Sequence, residues 1–351
     1  MKYVLHQGSN EQACAMYPEN HFDGVMCDSP YGNRFMGKKW DYDVPSIDEW
    51  AGILHVSKPG AALINFGSPK TYHRMAVNVE DAGWIPRDQL MWLYASAMPK
   101  SLNLGKHVPG WDGYGTNLKP CYEPALLAMK PLDGTFAENA AKWGAGGLSI
   151  DENRIGGRFP TNMILDEEAG AMLDEESGER KSGKSVSRNG GGGKIFNGNG
   201  SYKEGSRDGG YTDSGGASRF FFSAKVNAKE REAGCENLAH TSPSEVTSRK
   251  EDSAGLSDGR AGAGRTSGYR NTHPTMKPIS LCTRFASLIL PPPRADGSPR
   301  RLLVPFAGSG SEMIGALLAG WDEVVGIEID ECYAEIARAR LKHWVDNKGT
   351  K

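Results

Sequence analysis

The sequence predicts an α/β protein built on an open, mostly parallel, doubly wound sheet that carries an inserted, Gly-rich region. Three observations carry that expectation. Strand-like and helix-like patterns alternate at both ends of the 351-residue chain, as they do in parallel sheets. Neither end holds enough strands for a sheet of its own, so the two halves are expected to share one. Between them lies a long segment too poor in apolar residues to build a core. No internal repeat is visible.

In chain order, Val25–Cys27 reads as a short apolar strand. Ser46–His55 reads as a helix, with Ser46 as cap and Glu49 completing a capping box. Ala61–Phe66 is a continuous apolar run of buried-strand type, and a helix follows from about Lys70 to Asp81. Gln89–Tyr94 and Ala125–Met129 are further strand candidates. Near the other end, Pro278–Leu290 is an amphipathic helix stopped by Pro291–Pro293. Arg301–Phe306 and Val324–Ile329 are strands, followed by the helices Ser311–Ala319 and Glu331–Trp344, the latter with Asp330 as its cap.

Composition bounds the function. The chain holds 45 glycines, nearly twice the usual share, but without the triplet period of a collagen. Nineteen of them fall in the 93 residues from Gly178 to Arg270. That window also holds sixteen Lys and Arg against eleven Asp and Glu, a balance of +5 that leaves −7 elsewhere in a chain of net charge −2. A basic segment thus interrupts an acidic, core-forming protein. Asn189–Lys194 and Ser253–Ser267 lie within it, while Arg219–Lys225, with Phe220, Phe221 and Phe222, is expected to dock on the rest as a strand. Long structureless stretches inside a domain are functional loops, inserts or flexible linkers. No stretch approaches the ~18 apolar residues of a membrane span, and Met1–Asn10 lacks the form of a secretory signal. A cytoplasmic protein without a membrane partner is therefore expected. Six cysteines without a C-x-x-C pair indicate neither a disulfide framework nor a metal site.

Three loops carry chemistry. Val304-Pro305-Phe306-Ala307-Gly308-Ser309-Gly310-Ser311 stands between a strand and a helix, and its glycines let the backbone approach a ligand. Glu328 ends the following strand, where a carboxylate can take ribose hydroxyls. The third glycine of a dinucleotide fingerprint is replaced by Met313. The pattern fits a nucleoside-containing cofactor, or a tight turn with a solvated Glu. Asp28-Ser29-Pro30-Tyr31-Gly32 follows the strand Val25–Cys27, at the end where open α/β sheets bind ligands. Asp28 and the Ser29 carbonyl could accept the hydrogens of an exocyclic amine and Tyr31 could stack on its ring, a contact worth ~1–3 kcal/mol per base. Alone, this pentapeptide is also a good turn sequence. His273-Pro274-Thr275-Met276-Lys277-Pro278 runs into a helix whose N-terminus, with Lys277, suits a carboxylate, or is simply capped by Thr275.

Together these residues resemble the amino-group DNA methyltransferases that use S-adenosylmethionine. Their catalytic motif is Asp/Asn/Ser-Pro-Pro-Tyr/Phe and their cofactor motif Asp-Pro-Phe-x-Gly-Ser-Gly. The order found here, catalytic motif first and His-Pro-Thr-x-Lys-Pro just ahead of the cofactor motif, is similar to the circularly permuted β class. The likeness runs over roughly His6–Met129 and Arg219–Trp344. Segments around Phe35–Trp40, Trp143-Gly144, Arg158-Phe159-Pro160 and Arg219–Glu232 look like those of phage- and prophage-type members. Three departures stand out. Ser29 replaces the first proline of the catalytic motif, Val304 replaces an Asp that usually helps hold the methionine amino group, and Gly8-Ser9 replaces a Gly-Asp near the adenine.

The resemblance implies a Rossmann-like methyltransferase fold, permuted, with 1–150 as the catalytic-loop half, 151–270 as a partly flexible target-recognition insert and 271–351 as the cofactor-binding half. It implies methyl transfer from S-adenosyl-L-methionine to N6 of adenine in flipped-out double-stranded DNA, in a bacterial or phage-encoded homodimer, with a restriction partner left open. Asp28, Ser29, Pro30 and Tyr31 would be catalytic, and Cys27 would have no nucleophilic role. Gly308, Ser309, Gly310, Glu328 and Ile329 would hold the cofactor, with Pro305 and Phe306. Thr275 and Lys277 would take its carboxylate, and Ser9 and Asp28 complete the set. Lys38, Lys39, Arg188, Lys194 and Arg207 would contact DNA. Asp at the first motif position favours adenine over N4 of cytosine. Glutamine-amide methylation in a protein fits the motif order less well. A DNA-binding relative with weakened cofactor affinity is the non-enzymatic alternative.

Overall fold

The computed structural model describes residues 2–34, 37–97, 101–183, 211–225, 227–242 and 269–346. The N-terminal half supplies β1 (Lys2–Gln7), α1 (Asn10–Cys14), β2 (Phe22–Cys27), α2 (Ile47–Val56) and β3 (Ser57–Phe66). It continues with α3 (Tyr72–Asp81), β4 (Ile85–Leu93), β5 (Tyr122–Met129) and α4 (Phe136–Trp143). Next come β6 (Met163–Asp166), α5 (Glu167–Ser177), the two-residue strands β7 (Arg180–Lys181) and β8 (Ser214–Gly215), and β9 (Phe222–Ala224). The C-terminal half adds α6 (Ile279–Leu288), β10 (Arg301–Val304), α7 (Ser311–Ala319), β11 (Glu323–Glu328) and α8 (Glu331–Asp346).

Nine strands form one sheet in the order β1-β11-β10-β2-β3-β5-β4-β6-β9. All neighbours are parallel except β3·β5 and β5·β4. The expected mostly parallel α/β sheet is therefore present, and the chain halves do share it, joined where Leu302 and Leu303 pair with Gly24 and Val25. Side chains alternate across the strands, and both faces are covered. Met26, Leu302, Val304 and Val324 pack with Leu281, Phe285, Met313 and Leu317 of α6 and α7. Val25, Cys27, Leu303 and Val325 pack with Trp50, Ile53, Met75 and Val79 of α2 and α3. Buried Asp23 clasps the joint: it accepts from Lys58 at 2.7 Å, from the Arg301 amide at 2.7 Å and from Arg294.

The Ser46 capping box, with Glu49, and the Asp330 cap of α8 form as the sequence predicts. The strand expected over Arg301–Phe306 stops at Val304, because Phe306 turns into the left-handed region at φ 57°. β1 and α5 escape the pattern reading: β1 is half-exposed at the sheet edge and α5 has a weak apolar face. The sheet also extends beyond residue 150. β6 and β9, both within 151–270, are its last two strands, and the apolar run Arg219–Lys225 docks there through Phe222–Ala224.

Candidate active site

The site follows from the topology. From β10 the chain passes through α7 to β11 on one side, and from β2 through α2 to β3 on the other. The β10/β2 pair is thus a topological switch point, where a crevice opens beyond the carboxyl ends of the strands. Asp28 leaves β2 and the Gly308 loop leaves β10, so two motifs nearly 280 residues apart face each other. They line one cavity of about 290 Å³.

The Asp28 loop is held by side chains from elsewhere. Asn65 Oδ1 on β3 accepts from the Ser29 amide at 3.3 Å and from Cys27 Sγ at 3.1 Å. Buried Asp41 accepts the amides of Tyr31 and Gly32 at 2.7 and 3.0 Å, and Thr71 Oγ1 donates to the Tyr31 carbonyl at 2.5 Å. These bonds supply rigidity that the Ser29 position lacks for want of a proline. Burial and the Asp28 charge push the Cys27 thiol well up, which leaves little of the nucleophilic thiolate near neutral pH. Asp28 itself is engaged at both oxygens, by Tyr31 Oη at 2.7 Å and by Lys277 Nζ at 2.5 Å. Glu123, at the start of β5, stands 3.1 Å from Tyr31 Oη and 3.2 Å from Lys277 Nζ. Burial, Asp28 and Glu123 together push the Tyr31 phenol well above its usual range.

The glycine loop owes its shape to Glu328 and Arg340. Glu328 accepts from the amides of Gly308 at 2.6 Å and Asp330 at 2.8 Å, and burial pushes its carboxyl up. Arg340 on α8 is fully buried and donates to the Ser309 carbonyl at 2.5 Å and to the hydroxyls of Ser309 and Ser311 at 3.1 and 3.2 Å. Gly308 has φ 51°, and a β-carbon there would lie 2.8 Å from His273 Nε2. Phe306, Gly308, Ser309, Glu328 and Ile329 line the cavity, as does Ser9, whose hydroxyl caps α1. Pro305 and Gly310 do not. Pro305 is buried beneath the loop, and Gly310 starts α7 against Ala337.

Thr275 and Lys277 both line the cavity. The N-terminus of α6 is met by Glu230, which accepts from the Ile279 amide at 3.2 Å, and Thr275 does not cap it. Lys277 meets Asp28 and Glu123. Burial pulls its ammonium down, but the two carboxylates outweigh that and hold it well above the usual lysine range. His273 is pushed down to about 4, chiefly by burial, so it is neutral near pH 7. Its Nδ1 donates to the Thr275 carbonyl.

The cavity wall carries Asp28, Asp41, Glu49, Glu312 and Glu328 against Lys277, so it suits a ligand bearing positive charge. Burial, then the Asp28 charge, pushes Glu312 up to about 7. Asn10 Oδ1 and Ser29 Oγ, on two lining residues, are buried without a hydrogen-bond partner and so offer polar contacts to an occupant. Lys38 and Lys39 lie beside the lining residues Trp40 and Asp41, Lys39 exposed. Arg188, Lys194 and Arg207 lie outside the described residues. Sequence reasoning missed Glu123, Glu312, Asp41 and Arg340. A carboxylate heading the apolar strand β5 and another in the first turn after Gly-Ser-Gly were the available signals.

No protein-family model matches the chain. No curated protein matches it either. Among solved structures, the PvuII cytosine-N4-specific DNA methyltransferase aligns with a TM-score of 0.50 at 12% identity, over 97% of this chain and 86% of that one. A complex of M1.HpyAVI with SAM aligns with a TM-score of 0.43 at 13% identity, over 96% and 99% of the two chains. The PvuII likeness is one of fold: this chain has a mixed α/β architecture with a mostly parallel sheet, as that enzyme does.

Proposed function

We propose that this protein is an S-adenosylmethionine-dependent DNA methyltransferase acting on the exocyclic N6 amine of adenine. The observation that carries this reading is the meeting of the Asp28 loop and the Gly308 loop in one acidic cavity at the switch point. A solved structure of similar fold is that of a cytosine-N4-specific DNA methyltransferase.

The residues fit the cofactor. A carboxylate-rich wall suits its sulfonium and amino group, Asn10 Oδ1 and Ser29 Oγ have open hydrogen-bonding capacity, and Gly308 leaves space that a β-carbon would fill. Glu328 and the loop Gly308-Ser309 would hold the adenosine end. When bound, S-adenosylmethionine supplies an electrophilic methyl group. Asp28 and the Ser29 carbonyl accept the amine hydrogens and draw the nitrogen toward tetrahedral geometry. Tyr31 offers its ring to the base, which must leave the duplex to reach the site.

Asp at position 28 favours adenine; N4 of cytosine is the second reading, favoured by the likeness to a cytosine-N4-specific enzyme. The segment 151–270 would read the DNA. In it Arg158, Arg180, Lys181 and Arg219 surround a second concavity with Tyr211 and Phe220, a cationic and aromatic lining of the kind nucleic acid takes. A homodimer, implied by the family resemblance, is tested by sedimentation. The test of function is incubation with labelled cofactor and DNA, followed by mass spectrometry of the nucleosides. N6-methyladenine is expected; N4-methylcytosine overturns the base assignment, and label in protein alone overturns the substrate class. Asp28→Ala should abolish transfer.

A further inference from the structure

Methylating an amine releases a proton, and the groups around Asp28 form a path for it. Tyr31 Oη is 2.7 Å from Asp28 Oδ1 and 3.1 Å from Glu123 Oε2. A phenol has a single hydrogen and cannot donate to two carboxylates at once. Its hydrogen therefore goes to one carboxylate at a time, and both lie within reach of it. Lys277 Nζ, 2.5 Å from Asp28 and 3.2 Å from Glu123, fixes both carboxylates about the phenol. Exposure rises along the row, from 14% for the Asp28 side chain to 23% for Glu123.

We propose that Glu123 is the outer end of a proton relay, Asp28–Tyr31–Glu123, that carries the amine proton of the methylated base to solvent. The inference rests on the methyltransferase reading. In the transfer, the amine lone pair forms the new N–C bond and the S–C pair stays on sulfur, which becomes a neutral thioether. The nitrogen, now cationic, gives a proton to Asp28 and recovers the N–H electron pair. Asp28 passes the proton to Tyr31 Oη as the phenol hydrogen moves to Glu123 Oε2. Glu123 then releases it to water, so both carboxylates and the phenol return to their starting states.

Glu123 is a positioning and relay residue: it reaches the base only through Tyr31. The titratable and charged groups facing the row are Lys277 and His273 ahead of α6, Cys282 on α6, Cys27 on β2, Tyr94 after β4 and Glu312 on α7. Burial and then Glu123 raise the Tyr94 phenol to about 12, so it stays protonated and does not compete.

The test compares wild type, Glu123→Gln and Glu123→Asp in single-turnover methylation across neutral pH. Cofactor affinity is measured by calorimetry and the protonated-carboxyl band by infrared difference spectroscopy. Glu123→Gln should slow transfer about 100-fold, within the range of general acid–base effects, with an altered pH profile and unchanged cofactor affinity. Glu123→Asp should recover much of the rate. In a Glu312→Gln background, which removes a buried carboxyl held up to about 7, Glu123→Gln should erase the protonated-carboxyl signal that appears during transfer. An unchanged rate overturns the relay, as does a slowed rate with the wild-type pH profile and no recovery in Glu123→Asp. If the wild type transfers no methyl group to DNA, the functional reading fails; transfer that is untouched by Glu123→Gln overturns the relay alone.

Discussion

Replacing Lys277 with methionine removes the ammonium that stands between Asp28 and Glu123. The side chain is 3% exposed and its Nζ lies 2.5 and 3.2 Å from the two carboxylates. Methionine keeps most of the volume, so the loss is electrostatic. Removing one partner of a buried ion pair costs about 3–5 kcal/mol, because the remaining charges stay out of water without compensation. The sign with pH follows from linkage. In wild type the raised ammonium contributes stability that is fully present below the usual lysine value and is lost only as pH passes its higher folded value. The full cost should therefore show near neutral pH. Urea unfolding of both proteins there measures it. A cost below about 1 kcal/mol refutes the reasoning.

Other expectations are simpler. Gly308→Ala places a β-carbon 2.8 Å from His273 at a left-handed residue, a conformation that costs ~1–2 kcal/mol for non-glycine residues. Calorimetry should show S-adenosylmethionine binding weakened about tenfold, and unchanged binding refutes the cradle. Glu312, held up to about 7 when folded against an ordinary 4.5, should make stability fall as pH rises between those values. Glu312→Gln should flatten that slope in denaturant titrations at several pH values. DNA binding should weaken as salt rises, and Lys39→Ala should lower the slope of log affinity against log salt by about 1. A slope that does not move removes Lys39 from the DNA contacts.

Much of the fold was legible because strands such as Ala61–Phe66 and helices capped by Ser46 or Asp330 declare themselves through local chemistry. One sheet edge was not. β1 depends on β11 for its pairing, so its own residues need not look like a strand. At the site, Asp28, Gly308 and Glu328 could be named because each sits in a motif whose backbone demands are local. Glu123 and Arg340 lie in an unremarkable strand and helix, and acquire roles only through what they touch.

The sequence by itself determined the α/β class, the two ligand loops and the concentration of basic and glycine residues in one segment. Periodicity, capping and turn chemistry are properties of neighbouring residues. Tertiary structure alone decided that Lys277 meets Asp28 and Glu123 and that Glu230 meets the N-terminus of α6. A lysine on a long flexible stem goes to the deepest negative potential within reach, and that potential is made by carboxylates 249 and 154 residues away in the chain.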